Sequence, residues 1–171
     1  MPGVWRSRHL AAVALGAALL VSCGEGPSRG LVAPPADAAL LGPSGLLTCA
    51  AAPAESSSAT IGPAGGTLRV GAHALWVPAG ALSQDVTLSG VTHSGSVAAI
   101  ILRPAGLEFA EPVFLTISYA SCGLVPSLLP KRIAYTTAGL AILRYLTSWD
   151  NPLAQHVTGR LEHFSTYAVA W

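Results

Sequence analysis

The sequence predicts an all-β fold: a single antiparallel β-sandwich of about nine strands within roughly the last 110 residues. Three observations carry that expectation. From Thr60 onward, short apolar runs are punctuated by Gly, Pro, Asn and Ser turn signals at sandwich-like spacing. After the N-terminal segment no apolar period near 3.6 persists long enough for a helix. Pro112 to Tyr119 alternates strictly, with Val113, Leu115, Ile117 and Tyr119 on one face and Phe114, Thr116 and Ser118 on the other.

The strands are expected in this order. Thr67 to Val70 alternates after the Gly65-Gly66 turn, whose glycines suit positive φ. Leu75 to Val77 ends at Pro78, and Pro78-Ala79-Gly80 reads as a turn. Val86 to Ser89 alternates again. Val97 to Leu102 is continuously apolar, as a strand buried on both faces would be. Pro112 to Tyr119 follows, with the proline where a strand can begin. Ile133 to Thr136, Leu140 to Tyr145, His156 to Leu161 and Ser165 to Trp171 complete the set. In the last of these, Tyr167, Val169 and Trp171 share a face.

The N-terminus reads differently. Arg6, Arg8 and His9 precede an apolar run, Leu10 to Val21. At about 12 residues it falls short of the roughly 20 that a membrane span needs, and it fits the core of a secretion signal. Leu20-Val21-Ser22-Cys23 then resembles the lipobox of bacterial lipoproteins. That resemblance implies a signal peptide over 1–22, cleavage before Cys23, and a diacylglyceryl group on its thiol. It also implies a cell-envelope location, with the membrane as partner through lipid on Cys23. Gly24 in place of Asp points to the outer membrane by the same analogy. One acyl chain holds only weakly, whereas two or more hold stably.

Residues 23–58 are rich in Ala, Pro, Gly and Ser without a sustained period. They read as a disordered tether between the lipid and a domain over 59–171. Leu46-Leu47-Thr48-Cys49 interrupts this stretch and is expected to dock on the domain. With Cys23 lipidated, Cys49 and Cys122 remain, in a compartment where disulfides persist. Their pairing would staple the tether to the domain, stabilising it by about 4 kcal/mol on the chain-entropy model. Two separate buried thiols are the alternative.

Several motifs within the domain resemble the ZU ("ZU-five") β-sandwich of ankyrins, netrin receptors and zonula-occludens proteins. They are Ile61-Gly62-Pro63-Ala64-Gly65-Gly66-Thr67-Leu68, Leu75-Trp76-Val77-Pro78-Ala79-Gly80-Ala81-Leu82, Leu102-Arg103-Pro104-Ala105-Gly106-Leu107-Glu108-Phe109, and Glu111-Pro112-Val113. The family's glycine turn, "VPxGAL" step and "PxGxxFxxPV" step occur in this order. The resemblance implies a binding or assembly module at the envelope, with an envelope protein or a glycan as partner, and no reaction.

Composition excludes other classes. Hydrophobic residues make up 51% of the chain and charged residues 10%, against about a quarter charged in a typical domain. Nine basic residues less Arg6 and Arg8 leave seven, against eight acidic, so the mature chain is near −1. No basic stripe is available to neutralise phosphates, so nucleic acid is not an expected partner. His73, His93, His156 and His163 are not paired at ligand spacing, so no metal or other cofactor is expected. Glu108 and Glu111 read as solvated turn acids rather than a catalytic pair. Trp76, Trp149 and Trp171 are expected in core or rim packing, with a sugar-binding platform as the sharper alternative.

One motif carries a mechanism. His163-Phe164-Ser165 matches the "HFS" at which some ZU-containing scaffolds cut their own chain. There the serine hydroxyl attacks the preceding carbonyl with histidine as base. Cleavage between Phe164 and Ser165 is therefore the alternative to a non-catalytic role. The simpler expectation is that these side chains pack and pair on the last strand.

Overall fold

The computed structural model describes residues 45–123 and 129–171. Cys23 and residues 1–44, with the expected signal peptide and most of the expected tether, lie outside the described residues.

The described chain is all-β and contains no helix. Its strands are β1 (Thr48–Ala52), β2 (Ser56–Ile61), β3 (Gly66–Val70), β4 (His73–Val77), β5 (Val86–Thr92), β6 (Gly95–Val97), β7 (Ala99–Arg103), β8 (Glu108–Ser118), β9 (Arg132–Thr136), β10 (Ile142–Tyr145), β11 (Ser148–Asn151), β12 (His156–His163) and β13 (Thr166–Ala170). Two antiparallel sheets form the sandwich. One has six strands in the order β10-β9-β13-β7-β5-β2, and the other has five in the order β11-β12-β8-β4-β3. A two-stranded ribbon, β1 with β6, adds a third small sheet.

The alternation read from the sequence sets the layers. Leu68, Val70, Leu75, Val77, Val113, Leu115, Ile117, Val157 and Leu161 point inward from the five-stranded sheet. Leu88, Ile100, Leu102, Ile133, Tyr167 and Val169 meet them from the six-stranded sheet. Each fully buried residue of this size contributes about 1.5–3 kcal/mol over an exposed one. Gly90 lets the sheets close tightly: a Cβ there would stand 2.7 Å from Val70 Cγ2.

Several expectations need correction. About nine strands were expected, and the described residues form thirteen. The additional strands are short, polar or Ala-rich: β1, β2, β6 and β11. The expected Val97–Leu102 strand is divided at Ala98 between β6 and β7. Leu140 adopts φ 64° in a turn, so β10 starts only at Ile142. Glu108 and Glu111 are exposed but lie within β8, not in a turn. Pro112 is inside β8, not at its start. It sits where the pairing with β12 shifts register, between Leu161↔Val113 and His163↔Glu108, so the ladder does not require its missing N–H.

Leu46 and Leu47 are buried, in line with the docking expected of Leu46 to Cys49. The rest of the expected tether up to residue 58 is not a disordered linker: it forms β1 and the first half of β2, an edge strand of the six-stranded sheet. Leu47 N–H donates to the Val169 carbonyl at 2.9 Å, and Leu46 bridges Ala170. Leu46 also covers the outer side of β13, packing with Ala99, Ala134, Ala168 and Ala170. That is why β13 is buried on both faces and not on one.

Candidate functional site

The outer face of the five-stranded sheet carries an aromatic platform. Trp76 lies between inward Leu75 and Val77 on β4, and is therefore forced outward. Phe114 occupies the equivalent position on β8, between Val113 and Leu115. Trp76 and Phe114 are direct cross-strand partners, with ring centroids 5.7 Å apart. Trp149 on β11 completes the row, its ring 6.2 Å from Phe114. Trp76 is 51% exposed and Trp149 55%. Large aromatics that only served packing would bury most of that area.

Polar groups surround the rings. Thr116 and Thr158, paired across β8 and β12, share a hydrogen bond at 2.8 Å. Exposed Arg160 stands directly opposite Phe114 on β12. On β3, Thr67 is opposite Trp76, and exposed Arg69 lies two positions further along. At the edge of this face, Glu162 is held by Arg144 at 2.6 Å. That pair keeps the Glu162 carboxyl below its ordinary range, first through the hydrogen bond and then through the opposite charge. Of the core or rim packing expected for the tryptophans, Trp76 and Trp149 are not in the core: they lie half exposed on the outer face, packed against Phe114. Trp171 lies elsewhere, after β13. Phe114, which bridges the two, was missed. Its outward alternation was the available signal.

A second feature, a cavity, lies beside the β1–β6 ribbon. A cavity of about 210 Å³ is lined by Cys49, Glu55, His73, Thr92, His93 and Ser118, among others. Cys49 and Cys122 form a disulfide with S–S 2.00 Å, so the pairing alternative, not the two free thiols, is present. Ser118 N–H donates to His73 Nδ1 at 3.1 Å, which leaves the proton of the neutral ring on Nε2. Burial lowers the His73 pKa, and nearby Glu55 opposes this more weakly. His93 Nδ1 is buried without a hydrogen-bond partner among the described residues. Among those residues no three His, Cys, Asp or Glu side chains are grouped to hold a metal ion.

His163, Phe164 and Ser165 lie where the chain leaves β12 for β13, crossing from the five-stranded to the six-stranded sheet. The end of β7 and the loop 104–107 clasp this crossing. Phe164 N–H donates to the Leu107 carbonyl at 3.0 Å, Gly106 N–H to the Phe164 carbonyl at 2.9 Å, and Leu102 N–H to the Ser165 carbonyl at 2.9 Å. The Phe164 ring is buried edge-on against Phe109, with centroids 5.0 Å apart. The His163 ring meets Tyr135 at 5.1 Å, and the Tyr167 hydroxyl donates to the His163 carbonyl.

No protein-family model matches the chain, and no curated protein matches it.

Proposed function

We propose that the chain is a lipid-anchored cell-envelope protein whose β-sandwich has a non-catalytic binding role. The observation that carries the binding role is the row Trp76–Phe114–Trp149 on one sheet face, in which half-exposed Trp76 and Trp149 flank a partly buried Phe114. Rigid aromatic side chains on a flat face offer large contact area at low entropic cost, the usual composition of a recognition surface. The anchor rests on Leu20-Val21-Ser22-Cys23 and the apolar run before it. The same proposal takes the sandwich to be ZU-like. Supporting this, the motif turns interlock: Gly80 N–H donates to the Pro63 carbonyl at 2.8 Å, and Ala110 N–H to the Ala81 carbonyl at 3.1 Å. Under this reading the Phe164–Ser165 bond remains intact.

The test is fractionation and capture with the full chain produced in a bacterial host. The protein should sediment with membranes, carry diacylglycerol on Cys23, and show one mass ending at Trp171. Cys23→Ala should lose the lipid and the cleavage. Purified in mild detergent, the protein should retain an envelope component that Trp76→Ala or Trp149→Ala releases. Soluble protein with an unmodified Cys23 would overturn the anchor, and retention of nothing would overturn the binding role. A fragment beginning at Ser165 would restore the self-cleaving alternative.

A further inference from the structure

We infer that the Trp76–Phe114–Trp149 row binds an acidic polysaccharide, a glycan chain whose sugars bear carboxylates. This rests on the binding role proposed above and names its ligand. The apolar C–H face of a pyranose stacks on an aromatic ring, and successive sugars present successive faces. The ring centroids are 5.7 Å and 6.2 Å apart along one row with planes tilted by 31° and 45°, so the row offers a curved series of ring faces to successive sugars. The Thr116 and Thr158 hydroxyls and Thr67 lie beside the row, within reach of sugar hydroxyls.

The charges select the acidic class. Arg160 faces Phe114 across one strand spacing, and Arg69 lies on the far side of Trp76. A guanidinium presents a planar fork that matches a carboxylate with two parallel hydrogen bonds. Glu162, two positions along β12 from Arg160 on the same face, is held chiefly by Arg144 and only more weakly by the charge of Arg160, so the guanidinium of Arg160 keeps donors for a ligand carboxylate.

Full-length protein in mild detergent would be titrated with polygalacturonate, alginate and hyaluronate, with a neutral β-glucan as comparison. Tryptophan fluorescence and affinity electrophoresis would report binding at two salt concentrations. At least one carboxylate polymer should bind saturably and more tightly than the glucan. Trp76→Ala and Trp149→Ala should each weaken it about tenfold. Arg160→Gln should weaken the acidic polymer and leave any glucan binding unchanged. Arg160 is exposed and the two tryptophans are half exposed, so each variant should still unfold in one cooperative step with only a small drop in midpoint, and that control separates lost binding from lost folding. Equal binding of glucan and acidic polymers would overturn the acidic class. Acidic-polymer binding insensitive to both Trp substitutions would overturn the platform and leave only ion exchange. If no glycan binds but the rings still retain an envelope protein or self-associate, the glycan is overturned while the binding role stands. If nothing is retained, both are overturned.

Discussion

Gly65 shows how much one residue can decide. It sits at φ 76°, and a Cβ there would lie 2.5 Å from the Val77 carbonyl oxygen and 2.7 Å from Ala79 N. The turn before β3 therefore nests against the end of β4 only because position 65 lacks a side chain. Gly65→Ala should cost about 2 kcal/mol or more, read as a lower urea midpoint with unchanged slope. The turn was legible from Gly65-Gly66, but the close approach of β4 was not. His73 gives a pH-dependent counterpart. Its pKa is lowered by burial, so the unfolded chain binds the proton more readily than the folded one does. Stability from this group is complete above the ordinary histidine pKa of 6.5 and falls as pH drops below it toward the folded value. Protonation also removes the acceptor for Ser118 N–H. Melting temperature should fall between pH 7.5 and 5.5, and His73→Gln should reduce that fall. An unchanged profile in the variant would show that other groups set it. Nothing in the sequence around His73 announced this, because its burial comes from strands far away in the chain.

At the scale of elements, legibility followed the strength of the pattern. β8 was readable because large apolar residues alternate with small polar ones and the core face is buried. β1 and β2 were not, since Thr48–Ala52 and Ser56–Ile61 are small residues with little hydrophobic contrast. They are strands because their neighbours supply ladders: β6 for β1 and β5 for β2. The Cys49–Cys122 disulfide reinforces β1, together with Ala50 N–H donating to the Ser121 carbonyl at 2.8 Å. Replacing both cysteines by Ala should lower unfolding free energy by about 2–4 kcal/mol in urea titration. Asp150 plays a similar tying role on β11. Its carboxylate accepts from the Tyr119 hydroxyl at 2.6 Å and from Lys131 N–H at 2.9 Å, joining the end of β8 to the start of β9. Burial, and then this hydrogen bond, push the Tyr119 hydroxyl well up, so it stays a donor. Asp150→Ala should cost about 2–3 kcal/mol, because both donors lose their partner.

For the whole molecule, the boundary of the folded part is the testable matter. A chain beginning at Ala59 would lack Leu46, Leu47, β1, half of β2 and the disulfide. The two leucines alone represent about 3–6 kcal/mol of burial, comparable to the total stability of many domains. A chain from Ala59 should therefore show no cooperative thermal transition, whereas one from Gly45 should unfold in a single step. Equal melting of the two would show that residues 45–58 are dispensable.

The sequence by itself determined the all-β class, the alternation of β3 and β5, and the two faces of β8, with Phe114 opposite Val113, Leu115 and Ile117. All of these follow from a period of two and from glycine and proline turns, which are local. The lipobox-like segment is equally local, a matter of length and neighbouring residues. Only the tertiary structure decided that Trp149 joins Trp76 and Phe114, that Cys49 meets Cys122, and that loop 104–107 clasps Phe164. Each of these depends on strand order and register. Those are fixed by which apolar faces and backbone ladders satisfy one another across the chain, not by any short stretch of residues.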